Sequence, residues 1–220
     1  MERFLNRRAA GREISRKLLK YAGQSDVIVL ALPRGGVPVA YEVALALKAP
    51  LDVMIVRKLG LPGREELAIG AIASGGIQIL NKDIVHALGV NQAVIHSVME
   101  RELRELQRRE QEYRGDRPAL DLHNRIVILV DDGLATGASM LAAVRGVHTQ
   151  YPGQIIVAVP VTAPQAVDLL QPEVDEVIYG IAPDPFEGVG KWYEDFSQTT
   201  DEEVKSLLED ANRQLPSKSA

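Results

Sequence analysis

The chain has 220 residues, 46% of them hydrophobic and 25% charged, with a net charge of −5, which suits one globular domain with at most a small appended subdomain. That acidic balance argues against nucleic-acid binding as the main activity. With no cysteine, disulfides, thiolate catalysis and cysteine-based zinc sites are excluded, a composition that a reducing cytoplasm allows.

From the amino end, a polar segment with helical character, Glu13 to Tyr21, leads into the apolar run Val27 to Leu32, whose lack of alternation predicts a buried parallel strand. Pro33-Arg34-Gly35-Gly36 makes a turn, and Val39, Val43 and Leu47 mark the face of a helix that reaches Lys48. Adjacent glycines let backbone amides approach a charged oxygen, and Arg34 adds a planar cation suited to a diphosphate, although a plain tight turn uses the same residues. Asp52 to Val56 is a second apolar strand, followed by Arg57-Lys58-Leu59-Gly60-Leu61-Pro62-Gly63. Two cations at a strand end complement a pyrophosphate or form an ordinary solvated basic turn. The loop runs into Ala68 to Ser74, and Ser74-Gly75-Gly76 to Leu80 reads as short strands or a hairpin. Asn91 to Tyr113 is a long charged helix with Val94, Val98, Leu103 and Leu106 as a thin apolar stripe, ending near Arg114-Gly115. Its arginines are expected to be solvated, with Arg108, Arg109 and Arg114 as a candidate partner surface.

The next unit carries the most chemistry. The β-branched run Arg125 to Val130 stops at Asp131-Asp132 and gives way to the small residues from Gly133 to Ser139, with Leu134 among them. Met140, Leu141, Val144 and Val147 recur at helical spacing, so a helix begins near Gly137 or Ser139 and points its amino end at the preceding loop. Its unpaired amides can hold a phosphate, and the Thr136 and Ser139 hydroxyls can donate to it. Asp131 and Asp132 would repel that phosphate, so they fit neutral hydroxyls such as a ribose diol, and one sugar phosphate carries both groups. A capping turn needs one Asp or Ser, not this whole constellation. Neither a Gly-Lys-Ser/Thr loop nor a Gly-x-Gly-x-x-Gly turn is present.

Strands at Gln154 to Val161 and Glu176 to Gly180 alternate with helices at Ser139 to Gln150 and Ala163 to Leu170, which predicts an α/β fold with a doubly wound, mainly parallel β-sheet flanked by helices. Ile181 to Phe196 then concentrates aromatics in a chain that is only 5% aromatic. Those aromatics suit a stacking surface or a small core pinned by Phe186, Trp192 and Phe196. The polar tail at Pro216 to Ala220 is expected to fray. The histidines His86, His96, His123 and His148 are scattered, so a dedicated metal cage is not expected. With no span-length apolar stretch and no signal-peptide core at Met1 to Arg8, the expectation is a cytoplasmic protein without a membrane partner.

The run Asp131-Asp132-Gly133-Leu134-Ala135-Thr136-Gly137 resembles the phosphoribosyl pyrophosphate (PRPP) motif of type I phosphoribosyltransferases, in a variant closest to adenine phosphoribosyltransferases. The resemblance extends over Val27 to Gly180 as an ordered set of motifs. With Leu32 to Ala40, Val56 to Gly60 and the Phe186 to Gln198 tail, the chain looks like a poorly characterised bacterial group of that family. The resemblance implies one phosphoribosyltransferase domain over 1–220, with a core at 24–180, a small hood from 181–200 with an N-terminal contribution, and a flexible lid over 59–67. It implies that Asp131, Asp132, Gly133, Leu134, Ala135, Thr136, Gly137, Ala138 and Ser139 bind ribose and 5′-phosphate, and that Arg34, Gly35, Gly36, Arg57 and Lys58 bind pyrophosphate. Phe186 resembles the base-stacking aromatic, with Trp192 or Tyr193 as substitutes. Arg34, Lys58 and a lid carboxylate, Glu65 or Glu66, are the catalytic candidates, and the two glutamates fit equally as surface residues.

The implied reaction is displacement at the anomeric carbon of PRPP by a nitrogenous base. Magnesium (Mg2+) would arrive largely with the substrate and touch Asp131 and Asp132 at most. Ala135 stands where hypoxanthine-guanine enzymes carry an Asp, which disfavours a 6-oxopurine. The alternative of the same fold is a non-catalytic regulator that senses PRPP or a nucleotide, which should carry a basic face or a partner module that a pI of about 5.5 does not suggest. A hydrolase would need a nucleophile or metal cluster that the sequence lacks. A homodimer is a common state for such enzymes, but no residue identifies an interface.

Overall fold

In a computed structural model, which describes residues 3–214 apart from the side chains of Glu65, Glu66 and Lys82, the apolar runs become the inner strands of one sheet. The polar tail from Pro216 lies outside the described residues. Strands β1 (Val27–Ala31), β2 (Leu51–Val53), β6 (Ile126–Val130), β7 (Gln154–Val161) and β8 (Glu176–Ile181) pair in parallel in the order β2-β1-β6-β7-β8. Their residues alternate between two cores even though both faces are apolar. Val29, Ala31, Ile128, Val130, Ile156 and Ala158 share one core with α1 (Arg7–Lys17) and α2 (Gly36–Leu47). Ile28, Leu30, Val127, Leu129, Ile155 and Val157 share the other with α5 (Ala138–His148) and α6 (Pro164–Leu170). Each such fully buried aliphatic contributes about 1.5–3 kcal/mol, which is why a period-2 pattern is absent from strands covered on both faces. The fold class is therefore the α/β arrangement expected, with a mainly parallel sheet flanked by helices.

Several boundaries differ from expectation. The first helix is α1, six residues earlier than Glu13, because the Asn6 side chain caps it by accepting from the Ala9 N–H; Leu19–Tyr21 is a separate 3₁₀ turn. The strand expected over Asp52 to Val56 is divided. After β2, the Met54 N–H still donates to Ala31 O, and the chain then leaves the sheet as β3 (Val56–Leu61). With β4 (Arg64–Ala73) and β5 (Ile77–Leu80), β3 forms a separate antiparallel sheet in the order β3-β4-β5.

The loop expected over 59–67 is thus a β-hairpin. Pro62-Gly63 supplies a two-residue turn, with Gly63 at φ +78° and proline fixing the residue before it. Fully buried Leu59 and Ile69 anchor the two arms. The pairing shifts register on either side of Gly60, which obscures strand alternation in the sequence.

After α3 (Lys82–Ala87), the long helix α4 (Gln92–Arg114) is capped by Asn91 and stops at Gly115, as its pattern predicts. Arg108 is solvated and paired with Glu105 and Glu112. Arg114 is not a surface residue. Its Nε donates to both Asp52 carboxylate oxygens at 3.1 and 3.0 Å and its Nη2 to Val53 O at 3.1 Å, tying the end of α4 to β2. Two helices were not foreseen, the short α3 and a last one. α7 (Asp201–Gln214) buries Val204, Leu208 and Ala211 against α2 and α4, while the hydroxyls of Tyr113 and Tyr41 bond Asp201 and Asp210. Val204, Leu207, Leu208 and Ala211 do recur at helical spacing, so the helix carries a sequence signal, though a short one in a charged stretch.

Candidate functional site

The sheet order places β1 and β6 side by side while their following connections run to opposite edges. Ligands of open α/β sheets bind at the carboxyl ends of the strands at such a switch point. Two βα turns meet there: Pro33 to Gly36 after β1 and Asp131 to Gly137 after β6.

Their meeting explains the adjacent glycines. A Cβ on Gly35 would lie 2.0 Å from Asp132 Oδ2, and one on Gly36 would lie 2.7 Å from Val130 O and 2.9 Å from Asp131 Cα. The tip of α2 therefore rests on the acidic pair. Arg34 projects from the same turn; its Nη1 is 3.6 Å from Asp201 Oδ2, and its side chain is 36% exposed. A pair that long and that exposed is weak, so the guanidinium is available to an anion.

Asp131 and Asp132 follow directly on β6. Asp131 Oδ1 accepts from the Asp132 N–H at 2.8 Å. Asp132 Oδ2 accepts from Arg7 Nε at 2.7 Å, and Arg7 Nη1 donates to Ser197 O at 2.6 Å with its guanidinium 3.9 Å above the Phe196 ring. The Tyr193 hydroxyl donates to Asp132 O at 2.6 Å. Burial pushes the Asp131 carboxyl well above the ordinary carboxylate range, and the Asp132 charge adds to it. Burial also raises Asp132, with the Arg7 guanidinium pulling against it. Burial, and next the Asp132 charge, likewise raise the Tyr193 hydroxyl. Two crowded carboxylates facing one arginine leave the strand end short of positive charge.

Beyond them the loop is anchored and then opens. The Leu134 N–H donates to Val161 O and the Ala163 N–H to Leu134 O, holding buried Leu134 against the end of β7. Gly133 is hemmed in by Val161 and Val189, and Ala135, Thr136, Ala138 and Ser139 are exposed. Gly137, at φ +73°, caps α5, and the Leu141 N–H closes the first turn on Gly137 O. The amides before it lack intrahelical acceptors, the Ala138 N–H donating instead to Thr136 Oγ1 at 3.4 Å, so that with the Thr136 and Ser139 hydroxyls they could donate to an anion.

Arg57 and Lys58 lie on β3, not in a turn after a strand of the main sheet. Arg57 is held by Glu102, whereas Lys58 is exposed. With Ser139 and Arg101 they line a cleft of about 330 Å3. The Glu65 and Glu66 side chains lie outside the described residues. Phe186 is half-buried between two apolar clusters, and Trp192 is half-buried beside Tyr193 and Val189, its indole N–H enclosed without a hydrogen-bond partner. The segment carrying them pairs with the amino terminus: the Phe4 N–H donates to Trp192 O and the Glu194 N–H to Phe4 O. Among the described residues, no group of three or more His, Asp or Glu side chains is placed to hold a metal ion.

Sequence reasoning missed Arg7, the Tyr193 hydroxyl and Glu102. Arg7 reaches Asp132 across 125 positions, and nothing in the Asn6-Arg7-Arg8 run marks it. Only the aromatic concentration around Tyr193 gave a local signal.

The phosphoribosyl transferase domain family model matches residues 2–181. Two curated proteins from Mycobacterium tuberculosis strains CDC 1551 and H37Rv, each named a putative phosphoribosyl transferase, are 42% identical over 213 residues, 97% of this chain and 48% of theirs. The chain thus spans about half the length of the curated relatives it matches. The crystal structure of TT1426 from Thermus thermophilus superimposes with a TM-score of 0.83 at 41% identity, covering 94% of this chain and 98% of that one.

Proposed function

The chain belongs to the phosphoribosyl transferase family, and we propose that it transfers the 5-phosphoribosyl group of PRPP to a nitrogenous base with Mg2+ as cofactor. The observation that carries this reading is the contact of the two βα turns: an acidic strand end beside an open helix amino terminus, with a glycine turn and Arg34 against it. A ligand there meets carboxylates, amides and a guanidinium within one sugar diphosphate's reach.

Asp131 and Asp132 accept hydrogen bonds from the ribose 2- and 3-hydroxyls. The same carboxylates suit Mg2+, which favours hard oxygen donors and keeps most of its shell from water and substrate phosphates, so these two residues would hold it from the protein side. When bound, the ion neutralises charge on the departing pyrophosphate. The α5 amides with Thr136 and Ser139 hold the 5′-phosphate. Arg34, the Gly35 and Gly36 amides, Arg57 and Lys58 stabilise the charge that grows on pyrophosphate as the anomeric bond breaks. Phe186 and Trp192 stack the base, and the β3-β4 hairpin closes over the site and excludes water. Glu65, in β4 of that hairpin, is the proposed acid or base. Among the described residues no helix is long and apolar enough to cross a membrane, and the proposed place of action is the cytoplasm.

Calorimetric titration with PRPP, with and without magnesium, followed by a panel of purine and pyrimidine bases with pyrophosphate release as readout, tests the proposal. Magnesium-dependent binding and release with one base would support it and name the acceptor; no PRPP binding would sink it. Within the same series, Arg34→Ala should weaken inorganic pyrophosphate about tenfold, as one charge-assisted contact implies. Ribose 5-phosphate affinity should stay unchanged, and an equal loss of both would contradict the role given to Arg34.

A further inference from the structure

Glu102 on α4 is only 7% exposed and is shared between two arginines. Its Oε2 accepts from Arg57 Nε at 2.9 Å and Nη2 at 2.6 Å, and its Oε1 accepts from Arg101 Nε at 3.0 Å. A buried carboxylate is costly unless paired, and here the pairing exceeds neutrality. Among the described residues, Arg57, Lys58 and Arg101 line the cleft of about 330 Å3 with Glu102 as the acid, and Ser139 on the first turn of α5 lines it too. The described lining carries a surplus of two positive charges.

The two guanidiniums are not exhausted by Glu102. Among the described residues, Arg57 grips it through Nε and Nη2, leaving Nη1, and Arg101 uses Nε alone, leaving both terminal nitrogens. Arg108, further along the same helix, instead spends itself on Glu105 and Glu112. A divalent, multi-oxygen anion matches this surplus charge and forked donor geometry.

Resting on the phosphoribosyl reading above, we infer that this cleft holds a phosphate group of the substrate, that Arg101 is a ligand to it, and that Glu102 is a positioning residue that fixes both guanidiniums toward it. Helix α4 thereby becomes part of the site, although no motif of the strand-loop-helix units includes it. The phosphate is either the 5′-phosphate, on the side of Ser139, or one end of the pyrophosphate, on the side of Lys58.

The test titrates the full chain and its Arg101→Ala and Glu102→Gln variants with PRPP, inorganic pyrophosphate and ribose 5-phosphate, with unfolding temperature measured in parallel. Arg101 is more than half exposed, so Arg101→Ala should fold as the parent does and bind PRPP about tenfold more weakly. It should weaken only one of the two fragments. Loss on pyrophosphate alone assigns the cleft to the leaving group, and loss on ribose 5-phosphate alone assigns it to the 5′-phosphate. Glu102→Gln keeps one acceptor oxygen and should weaken that same fragment, a selectivity that general loosening of the hairpin would not produce. Parental PRPP affinity in Arg101→Ala, or equal loss on both fragments, overturns the inference. Failure of the parent chain to bind PRPP overturns it together with the reading beneath it, so the two failures are told apart.

Discussion

Replacing Asp131 and Asp132 together by Asn is expected to weaken PRPP binding by at least about 100-fold, the loss of two charge-assisted contacts at about 1.4 kcal/mol or more each. Both carboxylates follow directly on β6 where the two turns meet, and Asp132 is already oriented by Arg7 Nε at 2.7 Å. Unchanged affinity by calorimetry would remove the ribose assignment. The single change Asp131→Asn should at the same time stabilise the fold. Burial and the Asp132 charge hold the Asp131 carboxyl well above its ordinary range, so between the ordinary and the raised value the folded chain keeps a proton that the unfolded chain has released. Stability is then full below the ordinary aspartate value of about 4 and is lost as pH rises through the folded value. Asn carries no such loss, and its Oδ1 still accepts from the Asp132 N–H. The variant should gain about 1–2 kcal/mol at pH 7–8, roughly 2–8 °C in Tm for a chain of this size, and nothing below about pH 4. A gain that persists at low pH would assign the effect to packing instead of charge. Loss of binding coupled to a gain in stability is the signature of a site built against folding.

Gly36→Ala should have the opposite effect on stability. The added methyl would sit 2.7 Å from Val130 O and 2.9 Å from Asp131 Cα, backbone atoms of the last residue of the central strand and of the one after it, not the ends of flexible side chains. α2 must then withdraw from β6 although Val37, Val39 and Val43 are fully buried. Overpacking of this kind costs about 3 kcal/mol, or roughly 6–12 °C in Tm. A thermal melt and a urea midpoint measure the cost. PRPP affinity should fall as well, since Asp131 moves with the strain. An unchanged midpoint would mean that the turn yields and that the glycine serves only the approach of an anion. The tight packing of Gly35-Gly36 on the acidic pair does not conflict with their proposed role toward an anion, because the residue type that would let a phosphate approach also lets the turn rest on the carboxylates.

Much of the chain's organisation was legible without coordinates. Strands β1, β6 and β7 were evident because long apolar runs bounded by charged or glycine turns have few other uses. The α4 boundaries followed from Asn91 and Gly115, local signals that act within one turn. The Asp131 to Ser139 segment declared its chemistry because carboxylates, glycines and hydroxyls are contiguous there. The β3-β4 hairpin was read as a loop because its irregular register and central glycine blur the period. α7 was not expected although Val204, Leu207, Leu208 and Ala211 keep helical spacing, and its burial against α2 and α4 stabilises it.

By itself the sequence determined the α/β class, the order of the strand-loop-helix units and the acidic, glycine-rich stretch from which the proposed phosphate site is built, since each depends on residues within a few positions of one another. Only the tertiary structure decided which distant side chains complete that site. Arg7 reaches Asp132, Tyr193 bonds Asp132 O, Glu102 grips Arg57 and Arg114 locks Asp52, across separations of 125, 61, 45 and 62 residues. An ion pair or hydrogen bond requires only that two groups arrive within about 3 Å. Local pattern carries no record of that arrival, because the packing of helices onto a twisted sheet sets it.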